Sequence, residues 1–161
     1  MNQCLINRRV ERDFYQTFRK LSHDSIYYPN FSGIGMILYD ADIFDHSWHK
    51  DLRPSIQCPK DVRLNEEKTL PILFEIAEKS SKVHDGFHFF DYTSELMTHV
   101  AQYFFPPIVH GLCVNENYGT RYHSAQYGSC IEGIILTGAI NSDNQYHVFR
   151  KGRSVQENEF D

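Results

Sequence analysis

Leu5, Ile6, Val10, Phe14, Phe18 and Leu21 recur every three or four positions with charged residues between them, which places one apolar stripe on a helix over residues 5–22. A Ser/Tyr/Pro/Asn-rich stretch, 25–32, ends it. Residues 33–39 are an uninterrupted apolar run bounded by turn residues, the pattern of a buried strand. From 40 to 63 the chain is polar, carries Pro54 and Pro59 and shows no sustained period, so it reads as a long loop. A second amphipathic helix is predicted over 65–80, with Leu70, Leu73, Phe74, Ile76 and Ala77 inward and Pro71 either in its first turn or kinking it. Strands over 87–92 and 96–105 follow, the second ended by Pro106-Pro107. A helix beginning near Thr120 leads to the apolar run 131–140. Asn141-Ser142-Asp143-Asn144 is a turn signal, and 146–150 returns as a hairpin strand. The order predicts an α/β fold: a mixed central β-sheet flanked by helices.

At 161 residues the length suits one domain spanning 1–161, large enough for an ordinary core. The 12 Phe and 10 Tyr support a packed chain rather than a disordered one. A net charge of −5, from 16 basic and 21 acidic residues, argues against a broad DNA- or RNA-binding face, while leaving room for a small phosphorylated ligand. Cys4, Cys58, Cys113 and Cys130 form no C-x-x-C pair. No signal peptide or apolar span of membrane length is visible, so a cytoplasmic protein with no membrane partner is expected.

Two short motifs carry the candidate chemistry. In His84-Asp85-Gly86-Phe87, Asp85 can bind a metal or accept a proton, and Gly86 lets the backbone bend or approach a ligand. In Gly119-Thr120-Arg121-Tyr122-His123-Ser124-Ala125, a Gly-Thr entry into a helix start offers free N–H groups to phosphate, with Arg121 beside them. Together they read as a nucleotide site. Separately, Asp-Gly is also a common turn, and Gly-Thr-Arg suits a loop entering a surface helix.

These residues resemble the diadenylate cyclase family, the N-terminal nucleotide-binding domain of the DNA-integrity scanning protein DisA. That family carries Asp-Gly-Ala, often after Leu-His, and then Gly-Thr-Arg-His-Arg-Ala-Ala. The counterparts here are Val83-His84-Asp85-Gly86-Phe87 and Gly119 to Ala125, with Phe104-Phe105-Pro106-Pro107-Ile108 similar to the intervening Phe-Leu-Pro-Leu and Lys151-Gly152-Arg153 to a closing Asn-Gly-Arg. The similarity covers about residues 30–153. It implies a nucleotide site in which Asp85 holds Mg²⁺ or Mn²⁺ and is the catalytic residue of any active form. Gly86, Phe87, Gly119, Thr120, Arg121, His123 and Ser124 would bind ATP or a cyclic nucleotide. In an active cyclase two such sites face each other across a homo-oligomer and join two ATP into cyclic di-AMP.

The departures point toward a degenerate sensor. Phe87 replaces a small Ala, and Tyr122 and His123 replace a His-Arg pair. The family's Ser-Glu-Glu-Thr-Gly is Thr137-Gly138-Ala139-Ile140-Asn141, without its acids. Histidine lacks arginine's permanent charge and fork, and phosphoryl transfer depends on neutralising developing charge. An active cyclase is the alternative, and an interaction module that has lost its ligand the third reading.

Nine histidines raise the question of a structural metal. On a strand, His84 and His88 would share a face about 13 Å apart, too far for one ion; His99, His110 and His123 would meet only through the tertiary fold. Tyr118, Tyr122 and Tyr127 can stack on a base or fill the core. Residues 157–161 read as a solvated acidic end.

Overall fold

In a computed structural model the backbone is described for residues 2–161 and the side chains from Arg8 onward. Among the described residues three α-helices and seven strands form, in chain order, α1 (Asn2–Asp24), β1 (Ile34–Tyr39), β2 (His49–Asp51), α2 (Thr69–Ile76), β3 (Phe87–Asp91), β4 (Met97–Phe104), α3 (Thr120–Gly128), β5 (Ile134–Ile140), β6 (Tyr146–Arg150) and β7 (Arg153–Ser154). The strands make one sheet in the order β2-β4-β3-β1-β5-β6-β7. Only β1 and β3 run parallel, with Gly35 opposite Phe87, and the crossover between them carries α2. The remaining pairs are antiparallel. The α/β fold and mixed sheet expected from the sequence are therefore what forms.

Alternation along β1 divides the core. Ile34, Met36 and Leu38 face one layer with Phe14, Phe18 and Leu21 of α1 and Leu73 of α2. Ile37 and Tyr39 face the other, with Phe87, Phe89 and Ala125 and Tyr122 of α3. Both faces are covered, which is why β1 reads as a continuous apolar run. Leu5 and Ile6 of the predicted α1 stripe lie outside the described side chains; Val10, Phe14, Phe18 and Leu21 are buried as expected. No described helix is long and apolar enough to cross a membrane.

Three sequence expectations need correction. The second helix is Thr69–Ile76 rather than 65–80, with Pro71 in its first turn. Asn65 sits at φ +66, a left-handed conformation no helix admits. Beyond Ile76 the backbone is taken by the chain before β1: Ser32 N–H donates to the Ala77 carbonyl (2.9 Å) and Lys79 N–H to the Asn30 carbonyl (2.9 Å). Within the stretch read as a loop, β2 pairs with β4, His49 opposite Phe104. Residues 157–161 are not a loose end, because Glu157–Phe160 forms a 3₁₀ turn that buries Phe160.

Candidate functional site

Asp85 and Gly86 close the turn into β3. Gly86 sits at φ +76, and a Cβ there would lie 2.3 Å from the Gln102 carbonyl oxygen, so glycine is needed for the approach of this turn to β4 rather than to a ligand. Phe87, the first residue of β3, is buried with its ring over Gly35, whose missing side chain makes the space. It forms an edge-to-face pair with Phe104, ring centroids 5.3 Å apart. The bulky residue thus fills the sheet's own layer and leaves the space above it open.

That space is a cleft of about 230 Å³ lined by Leu52, Gly86, Phe87, Tyr103, Phe104, Thr120, Arg121 and Ser124. A wider, more polar hollow of about 460 Å³ adjoins it, bounded by Ser32, Asn117, Tyr118, Gly119, Thr120, Arg121, Asn141, Ser142 and Asp143. Thr120 and Arg121, in the first turn of α3, are common to both. Five of the proposed nucleotide-binding residues, Gly86, Phe87, Thr120, Arg121 and Ser124, therefore line one cleft, and Gly119 lines the hollow beside it.

Arg121 is partly buried, and its Nη1 donates one long hydrogen bond, 3.4 Å, to the Ser32 carbonyl. The guanidinium fits because Gly33, at φ +93, has no side chain; a Cβ there would stand 2.6 Å from Nη1. Burial pushes the Arg121 pKa down, and the charge of Asp85 pushes it partly back. Among the described residues no carboxylate comes within salt-bridge distance of it. A guanidinium has five N–H donors, so most of its capacity is unused.

Asp85 stands at the rim, its side chain about half exposed (54%). Arg53 Nη2 is 3.9 Å from Oδ2 and His84 Nε2 is 3.1 Å from Oδ1. His84 Nδ1 lies 2.7 Å from the Ser81 carbonyl, an acceptor only, so Nδ1 carries the hydrogen. A neutral His84 then turns the Nε2 lone pair toward a carboxylate oxygen. Two electron-pair donors facing across 3.1 Å suit a cation between them, a proton or a divalent ion. Among the described residues no third His, Cys, Asp or Glu closes on this pair. The Asp85 carboxylate fits Mg²⁺ or Mn²⁺ completed by phosphate and water, whereas the His84 nitrogen is not a ligand that Mg²⁺ favours, and no metal is caged here by protein alone.

His123 departs from expectation. Its Nε2 donates to the Asn115 carbonyl at 2.9 Å, tying down the loop before α3, and it lines neither hollow. His84 and His88 do not share a strand face: His84 lies in the turn, and His88 is fully enclosed in the sheet. Tyr122 is core, Tyr118 stacks on it at 4.2 Å and lines the polar hollow, and Tyr127 borders a separate surface hollow with Trp48. The acid-free segment 137–140 lies inside β5: Ala139 is buried, and a Cβ on Gly138 would meet the Phe18 ring at 2.4 Å. Sequence reasoning missed Leu52 and Arg53, which arrive because β2 runs directly into them.

No protein-family model and no curated protein matches the sequence. Solved structures do match. The architecture is a diadenylate cyclase-like fold, the class the sequence motifs resemble. One neighbour is DacA from Staphylococcus aureus, crystallised as a double cysteine mutant, with a TM-score of 0.54 and 14% identity over 99% of this chain and 91% of that one. Another is a hypothetical membrane spanning protein from Bacillus cereus, with a TM-score of 0.54 and 15% identity over 89% of this chain. The present chain spans 61% of that neighbour's length. At such identities the shared property is the fold.

Proposed function

We propose that this chain is a nucleotide-binding domain of the diadenylate cyclase type, sensing an adenine nucleotide or a cyclic nucleotide without efficient turnover. The observation that carries the reading is Arg121, a partly buried cation with one 3.4 Å hydrogen bond at the wall between two open hollows. A phosphate there would satisfy its free donors with charge-assisted bonds, next to the N–H groups that open α3. The apolar cleft offers Phe87, Tyr103 and Phe104 to a base. Asp85 would hold Mg²⁺ or Mn²⁺ against the phosphates, the metal supplying charge neutralisation. Turnover is disfavoured because His123 is committed to Asn115 and the family's acids are replaced inside β5. The open cleft beside Arg121 disfavours an interaction module that has lost its ligand site.

Calorimetric titration with ATP and with cyclic di-AMP, each with Mg²⁺, tests this. Arg121→Met keeps the stem and removes the charge, and affinity is expected to fall about ten- to a hundredfold, the worth of a hydrogen bond to a charged group. The melting temperature is expected to hold or rise, since an underpaired partly buried charge is lost. Folded wild-type protein that binds none of these nucleotides would overturn the proposal.

The Asp85–His84 pair favours a second reading, an active diadenylate cyclase working as a homo-oligomer on two ATP. Incubation with ATP and Mn²⁺ then yields cyclic product, and Asp85→Asn, which removes the metal-holding charge, lowers that yield at least a hundredfold. Absence of product from nucleotide-binding wild-type protein leaves the sensor.

A further inference from the structure

Where β2 runs along β4, three histidines meet. His46 lies in a one-turn 3₁₀ segment, His49 opens β2, and His99 is on β4 opposite Phe89. One ring nitrogen from each falls within 4.8 Å of the other two, the only such cluster of three His, Cys, Asp or Glu donors among the described residues. We propose that His46, His49 and His99 bind one Zn²⁺-class transition-metal ion, with the fourth position open to water.

The fold builds this cluster by a bulge. From Phe89 to Phe87 β3 advances two residues, while β4 advances three, from His99 to Gln102, and Ala101 takes φ +49. The extra residue reverses the alternation of β4, so His99 shares a face with Gln102 and Phe104. His49 therefore contacts both: its ring centroid is 5.0 Å from that of His99, and its Nδ1 is 2.7 Å from Gln102 Oε1.

The hydrogen bond behind His49 turns its lone pair toward the cluster. Gln102 Nε2 donates to Asp51 Oδ1 (2.6 Å) and to the Val100 carbonyl (2.9 Å), which fixes its Oε1 as the atom facing His49. An amide oxygen only accepts, so His49 Nδ1 carries the hydrogen and Nε2 the lone pair. That Nε2 lies 2.8 Å from His46 Nδ1. His99 Nδ1 is 2.9 Å from the Thr98 hydroxyl, which also holds the Tyr39 hydroxyl at 2.8 Å, so Nδ1 is engaged behind the ring and Nε2 is the nitrogen left to bind a metal. An imidazole whose second nitrogen donates to an oxygen relayed to a carboxylate is the usual supporting arrangement of a metal-bound histidine.

Three neutral nitrogens select zinc or its neighbours over Mg²⁺ or Ca²⁺, which take oxygen. A tetrahedral ion with bonds of about 2.0–2.1 Å sets its ligands about 3.4 Å apart, so the 2.8 Å pair must open and the 4.8 Å limit close. His46 is exposed and supplies that adjustment, while Phe44 and Phe89 hold the His49 ring at 5.8 and 4.3 Å. This site is separate from the Arg121 cleft, so it stands or falls independently of nucleotide binding.

The test uses the whole chain, stripped with a chelator and titrated with zinc chloride alone. The expected result is one zinc per chain and a melting temperature that rises with zinc. With Co²⁺ in place of zinc, the intense visible absorption of a tetrahedral nitrogen site should appear. His46→Ala alters an exposed side chain and is expected to fold, yet to weaken zinc binding at least a hundredfold and abolish the cobalt spectrum; His99→Gln should do the same where it folds. Folded wild-type protein that takes up no zinc would show the cluster to be a hydrogen-bonded triad only. Binding that survives His46→Ala unchanged would place the metal elsewhere. Either result overturns the proposal.

Discussion

Phe160→Ala is expected to destabilise the chain by about 3–5 kcal/mol, the range for removing a buried aromatic ring. In a protein of this size that corresponds to a melting temperature lower by roughly 6–20 °C. Phe160 is 1% exposed and packs against Tyr15 of α1, with ring centroids 5.3 Å apart, while the Arg150 guanidinium carbon lies 5.7 Å from its centroid. Arg12 donates to its carbonyl. A capping box between Gln156 and Glu159 shapes the turn that delivers it. The charge pairs around this turn, Arg19–Glu157 and Arg153–Glu159, involve exposed side chains and are worth about 0–1 kcal/mol each. The ring therefore dominates. Urea unfolding of the variant measures this, and a loss under about 1 kcal/mol would mean that the last turn contributes little to the core.

Phe160 also shows where the sequence stops being legible. An acidic run with one aromatic carries no period, so only the groove between α1 and β6 identifies that aromatic as core. The same limit hid β2: three residues, His49–Asp51, are too few to alternate, and the strand exists because β4 offers it an edge. With β2 hidden, Leu52 and Arg53 could not be placed beside the Asp85 turn. The bulge at Ala101 was equally invisible, and it decides which face His99 takes. Signals that depend on neighbours in sequence came through. The stripe of α1, the apolar run of β1 and the Asn141 to Asn144 turn each specify their element locally. The motifs at 84–87 and 119–125 converge, as their order suggested, and Arg121 reaches the cleft. His123 does not, because the carbonyl that captures it, Asn115, belongs to a loop without sequence pattern.

Lowering the pH from 7 to 5 is expected to remove about 2 kcal/mol of stability through His88 alone, and about 3 kcal/mol by pH 4. His88 is fully buried on β3. Its Nδ1 accepts from the Ala101 N–H at 3.1 Å, the amide that the β4 bulge frees from the ladder, and no protein acceptor reaches Nε2. Burial, aided by the charge of Arg121, pushes its pKa down to about 3 from the ordinary 6.5. The unfolded chain therefore binds a proton near pH 6.5 that the folded chain refuses until about pH 3. Stability is full above 6.5 and lost as the pH falls through that window, at about 1.4 kcal/mol per pH unit. Glu11 and Asp13 act in the opposite sense, since burial raises their pKa values and favours the folded state once they protonate. The comparison that isolates His88 is a pH series of urea unfolding on the wild type and His88→Asn. The Asn Oδ1 takes the place of Nδ1 as acceptor for Ala101, and the group that titrates is gone. The variant's slope between pH 6.5 and 4.5 should be shallower by close to one proton, whatever its stability at pH 7. Equal slopes would show that His88 is not held neutral in the folded state.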